Sequence, residues 1–173
     1  MRCFVALWPD AAARARLAAL ADEQGTLHRG ARAMRAENLH LTLAFIGELD
    51  EPRARAAAQA VVRLEAPPFV WTLERLGVFA RARVLWAGGP RCEALEALAT
   101  RVRAALDALA IAYDRKPFAA HATLLRNLPR SAAHTAASPI APPIVWRAAR
   151  PVLLRSATEA GRLRYVEVPD AAR

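Results

Sequence analysis

The chain has almost no lysine. Of its 25 basic residues only Lys116 is not arginine, and set against 16 acidic residues they leave a net charge of +9. Such a surface attracts polyanions and speeds their encounter, which fits a nucleic-acid partner. Cysteine is scarce too: Cys3 and Cys92 make neither a metal-ligand spacing nor a disulfide framework, so reduced thiols in a cytoplasmic protein are expected. No stretch approaches the roughly 20 apolar residues of a membrane span. Residues 4–8 are apolar but short, and Pro9 and Asp10 follow at once, so no signal peptide is expected. Neither carboxylates nor Cys/His groups cluster as a metal site would need. No metal and no cofactor are therefore expected.

What the chain does have is a repeated four-residue frame. His40-Leu41-Thr42-Leu43 returns as His121-Ala122-Thr123-Leu124, so two of the four histidines share the pattern H-x-T-L, 81 positions apart in 173 residues. In a strand, residues two apart point the same way. Each motif would then show an imidazole and a hydroxyl on one face and grip the core with the other. An imidazole can give or take a proton near neutral pH, and a threonine hydroxyl can donate to an anionic oxygen. Two such pairs make a four-point cradle for a tetrahedral anion, as an in-line phosphodiester displacement requires. Unperturbed imidazole values near 6.5 would give that reaction a bell-shaped pH profile. The other two histidines, His28 and His134, lie in polar or proline-rich surroundings and read as surface residues.

Periodicity places these motifs in an α+β chain. A strand at 3–8 precedes an alanine-rich helix that Asp10 caps and Gly25 ends. Residues 26–36 read as a loop and a candidate groove rim. A strand over 39–46 carries the first motif and breaks at Gly47. Asp50 and Pro52 open a second helix with Ala57, Val61 and Leu64 inward. Strands are expected over 69–79 and 83–87. Leu95, Leu98, Val102, Leu106 and Leu109 mark the clearest helix. The second motif lies on a strand over 118–125, residues 127–143 read as an irregular loop with four prolines, and closing strands follow. By alternation Phe45 belongs to the core; Trp86 is an aromatic that could stack on a base, and its place in Val84-Leu85-Trp86 assigns it to the core instead. Phe118 is a candidate base-stacking residue, and Tyr165 could approach the cleft through the closing strand.

Residues 37–47, Glu-Asn-Leu-His-Leu-Thr-Leu-Ala-Phe-Ile-Gly, resemble the first signature of the two-histidine (2H) phosphoesterases, and in particular the RNA 2′,3′-cyclic phosphodiesterases, also called 2′-5′ RNA ligases. Residues 116–126 resemble the second signature, with Ala120 where the family commonly has proline. Residues 83–88 and the closing Ser156 to Tyr165 stretch also resemble that family. The resemblance implies one domain over 1–173, built of two pseudo-symmetric lobes, each an antiparallel sheet with helices, and an active-site cleft between them. The lobes fall at about 1–68 and 69–173, with chain ends crossing between them. It implies hydrolysis of an RNA terminal 2′,3′-cyclic phosphate to a 2′-phosphate without metal, His40 as proton donor and His121 as proton acceptor. Thr42 and Thr123 would hold the phosphate, with Arg126 and Phe118 as substrate-binding residues. RNA with a cyclic-phosphate end is the expected partner, the chain being a monomer without an obligatory protein partner. Reversible 2′-5′ ligation is the same chemistry run backwards. The motifs leave two alternatives open: a phosphodiesterase for a small cyclic nucleotide, and a non-catalytic RNA-end-binding module.

Overall fold

The computed structural model describes residues 1–132 and 137–170; His134 lies outside them. Strand β1 (Arg2–Leu7) leads into helix α1 (Ala11–Leu27), whose first turn is capped by Asp10, with its carboxylate accepting from the Ala12 and Ala13 N–H groups at 3.0 Å. The helix runs two residues past Gly25, with His28 as its half-buried C-cap. The segment read as a loop contains a short strand, β2 (Arg32–Ala33), and a 3₁₀ turn at Ala36–Asn38. Then come β3 (Leu41–Glu48) with the first motif, and α2 (Glu51–Val62), capped by Asp50. The second half supplies β4 (Phe69–Phe79), β5 (Val84–Gly88), α3 (Glu93–Ala108) and β6 (Ala122–Arg126) with the second motif. It closes with β7 (Ser138–Ala148), β8 (Val152–Glu159) and β9 (Arg162–Glu167).

Among the described residues these nine strands form one hydrogen-bonded antiparallel path, β7-β4-β5-β6-β3-β1-β8-β9, with β2 beside β6. Its two wings, β7-β4-β5-β6 and β3-β1-β8-β9, meet at the pair Leu41–Ala122. The wings do not follow chain order: β8 and β9 join β1 and β3, and α1 lies over β6 and β7. All three helices give apolar stripes to one core. Leu17 of α1, Val61 of α2 and Leu95, Leu98, Val102 and Leu106 of α3 meet Leu41, Leu43, Leu124 and Leu125 of the sheet. Each such leucine or valine contributes about 1.5–3 kcal/mol by leaving water. Leu109, expected on that stripe, falls past the helix end and is exposed.

Residues 138–143 belong to β7 and not to an irregular loop. β7 ends the path, where prolines can sit without depriving a neighbouring strand of a donor. Gly47 stays inside β3, paired with Cys3, at φ +95°. No helix of the described residues is long and apolar enough to cross a membrane.

Candidate active site

Leu41 and Ala122 are both buried in the core, at 1% and 0% exposure. Their neighbours in sequence therefore project from the opposite face of the sheet. Because the Leu41–Ala122 pair is antiparallel, it sets the two H-x-T motifs head to tail about one point. His40, Thr42, His121 and Thr123 thus share one side of the sheet at the junction of its wings.

The two imidazoles are held alike. His40 Nδ1 donates to the Asn38 carbonyl at 2.7 Å, and His121 Nδ1 donates to the Ala119 carbonyl at 2.7 Å, in each case two residues upstream. A carbonyl only accepts, so Nδ1 keeps its proton in every charge state. The exchangeable site on each ring is Nε2, a lone pair when the ring is neutral and a donor when it is charged. His40 Nε2 lies 3.1 Å from Thr42 Oγ1.

Aromatic rings enclose both. Phe4 and Tyr165 stand 4.9 and 5.0 Å from His40, the tyrosine edge-on, with Trp8 beyond. Phe79 meets His121 at 4.9 Å and perpendicular, with Trp86 behind. This enclosure lowers both pKa values, His40 to about 4 and His121 also downward. Burial is the main cause for each; the Asn38 and Ala119 carbonyls pull the other way, and the Arg126 charge reinforces the lowering. The expectation of values near 6.5 is therefore not met. In the free protein at neutral pH both rings are neutral.

A stability prediction follows from the sign of the His40 shift. The unfolded chain takes up a proton as pH falls through 6.5, whereas folded His40 does so only near 4. Stability is therefore lost between those values. Urea melts at pH 7 and 4.5 should show wild type losing about 2 kcal/mol more than His40→Gln. Equal losses would mean that the ring is not held neutral.

His40 and Thr42 line a cleft of about 750 Å³ with Arg2, Phe4, Arg32, Phe45, Lys116, Arg126, Ser156, Leu163 and Tyr165. Phe45 was expected in the core and is instead exposed in this cleft. The cause is a bulge: across from β1, Ala6 pairs with Thr42, Val5 with Ala44 and Phe4 with Phe45. The extra residue, Leu43, reverses the alternation.

A scan against family models matches residues 7–86 to the LigT-like phosphoesterases. The RNA 2′,3′-cyclic phosphodiesterase of Archaeoglobus fulgidus is 33% identical over 129 residues, covering 73% of this chain and 72% of the relative. The chain belongs to the LigT-like phosphoesterases. The Escherichia coli RNA 2′,3′-cyclic phosphodiesterase is 37% identical over 99 residues, covering 56% of this chain, and the matched stretch spans 55% of that protein. In structure, E. coli LigT complexed with 3′-AMP superposes with a TM-score of 0.81 at 28% identity, over 96% of this chain and 94% of that one.

In this LigT-like chain the sequence-derived residues distribute unevenly. Arg126, on β6, lines the cleft and its charge reaches both imidazoles. Phe118 does not line that cleft. It walls a neighbouring hollow of about 350 Å³ with Phe79 and Trp86, because residues 118–120 run outside β6. Trp86 is half-buried beside Phe79 and His121, and its indole fills the space over Gly77, where a Cβ would come within 2.2 Å of the ring. Sequence reasoning missed Phe4, Trp8, Phe79 and the positioning role of Asn38. The buried Asn38 amide donates to the Leu163 carbonyl at 3.0 Å and accepts from the Tyr165 N–H at 3.1 Å. It thereby satisfies the free edge of β9 and fixes the carbonyl that orients His40. Its position in the 3₁₀ turn at Ala36–Asn38, ahead of β3, left no strand phase from which this role could be read. The aromatic walls had no signal either, because they depend on which strands pair.

Proposed function

We propose that the protein opens the 2′,3′-cyclic phosphate at an RNA end to a 2′-phosphate, without a metal ion. The observation that carries this reading is the matched pair of Nδ1-anchored histidines on one face of the sheet. The names of the A. fulgidus and E. coli relatives support the substrate class. That E. coli LigT was solved with 3′-AMP, ATP and phosphate supports a cleft suited to nucleotides and phosphate.

His121 Nε2 accepts a proton from water as the water oxygen attacks phosphorus. The P–O3′ bond breaks opposite, and O3′ takes the Nε2 proton of His40. The products are a 2′-phosphate and a 3′-hydroxyl; His121 ends the step protonated and His40 neutral, a net transfer of one proton from acid to base. Thr42 and Thr123 hydroxyls donate to the non-bridging oxygens, and Arg126 balances the charge that grows on them. Two rings that are neutral in the free protein must acquire one proton. The bound phosphodiester supplies the negative charge that raises the acid's pKa, against Arg126. Run backwards with an RNA 5′-hydroxyl in place of water, the same steps form a 2′-5′ bond. The chain works as a monomer and a single catalytic unit, with a wing of the sheet on each side of the phosphate. Unpaired thiols at buried Cys3 and half-buried Cys92 support a cytoplasmic setting.

The test is an assay with excess chelator on a short RNA ending in a 2′,3′-cyclic phosphate, with ³¹P NMR of the product. Only the 2′-phosphate should accumulate. A 3′-phosphate, or turnover abolished by the chelator, would contradict the reading.

A further inference from the structure

The cleft does not end at the phosphate site. A second hollow of about 230 Å³ adjoins it, lined by Arg32, Ala33, Met34, Arg35, Asn38, Gly161, Arg162 and Leu163. Arg32 and Leu163 belong to both linings. The two hollows therefore form one trough running from His40 across β2 to the β8–β9 turn. Its cations are Arg2, Arg32, Arg35, Lys116, Arg126 and Arg162, and among the described residues its lining holds no carboxylate.

The cations differ in how free they are. Lys116 is paired with Asp114 at 2.9 Å, and Arg35 is loosely opposed by Glu37 at 3.9 Å. Arg162 is exposed and held in place by the tight β8–β9 turn, where Ala160 and Gly161 take φ of +49° and +72°. That pair of left-handed residues makes a two-residue hairpin, and Arg162 is the first residue after it, paired with Glu159. On the far side of the junction, by contrast, Arg91 of the hollow containing Phe118 is engaged by Glu96. A row of exposed arginines leading away from a phosphate site, opposed only loosely by Glu37 at Arg35, is the electrostatic footprint of a polyphosphate backbone. A mononucleotide, filling only the cleft, has nothing to place there.

We infer that the Arg32–Arg35–Arg162 trough binds the single-stranded RNA immediately 5′ of the cyclic phosphate, and so selects RNA ends over mononucleotides. This deepens the proposed function and rests on it for the identity of the end group. Contacts from arginines to phosphates carry no sequence information, so the selection is for chain length and not for sequence.

The test uses Arg35→Gln, Arg162→Gln and the double variant, none of which touches the phosphate cleft. Two readouts are taken: kcat/KM for a pentanucleotide and for a mononucleotide 2′,3′-cyclic phosphate, and anisotropy of a labelled pentanucleotide with a 2′-phosphate end as salt is raised. The double variant should lower kcat/KM for the pentanucleotide by about tenfold and leave the mononucleotide value within twofold. Its binding should lose salt dependence, the log–log slope falling by about 0.7 for each arginine removed. An equal effect on both substrates, or none on either readout, would overturn the trough. Should wild type open neither substrate, the anisotropy titration still decides the trough, while the proposed reaction fails.

Discussion

His40→Ala and His121→Ala should each lower kcat by about 10²–10⁴-fold, because each removes one of the two proposed proton-transfer groups, while a 2′-phosphorylated RNA end binds within a few-fold of wild type. The double variant should be scarcely worse than either single one, since the two act on one transition state. The local structure makes these clean tests. Each ring is fixed through Nδ1 to a main-chain carbonyl, so truncation leaves the strand register at Leu41–Ala122 untouched. His40 is the better buried of the two, and its loss opens a gap beside Phe4 and Tyr165. Circular dichroism and melting of His40→Ala therefore belong beside the kinetics. Turnover retained by either variant would remove its histidine from the mechanism. Weakened binding with unchanged kcat would instead favour an end-binding module.

Arg126→Met should cost about 10²-fold in kcat/KM, the scale on which a single charge-stabilising donor acts at a developing anion. It should also move the pH profile. Arg126 lowers both imidazoles in the free protein, and kcat/KM reports free-enzyme groups. Wild type should show a bell with its maximum below 6.5, since burial and Arg126 act in the same direction. Without the arginine both pKa values rise and the maximum moves toward neutral pH. Arg126→Lys should restore the position of the maximum and only part of the rate, because lysine supplies the charge without the planar fork. A loss of rate with an unmoved maximum would show that Arg126 binds substrate without tuning the histidines.

The site was legible in sequence where it depends on residues two apart. His40 with Thr42, and His121 with Thr123, share a face because strand geometry demands it, and no tertiary knowledge is needed. The helices were legible for a similar reason: Asp10 and Asp50 are N-caps, and the α3 stripe has a 3.6-residue period. Phe45 was misread because a bulge at Leu43 reverses alternation, and bulges arise from pairing with β1. The prolines of β7 look like a loop until the strand is known to be an edge. The depressed histidine pKa values were beyond reach for the same reason. Phe4 and Tyr165 come from strands at opposite ends of the chain, and only the order β3-β1-β8-β9 brings them to His40.

The most direct test of two histidines meeting one phosphate is a ¹⁵N NMR titration of the histidine rings, alone and with an RNA ending in a 2′-phosphate. Alone, His40 and His121 should both be neutral Nδ1–H tautomers at pH 7, titrating below 6.5. With the product bound, Nε2 of both should shift and both pKa values should rise, leaving Nδ1 unchanged. A response confined to one ring, or an Nε2–H tautomer in either free ring, would contradict the shared site.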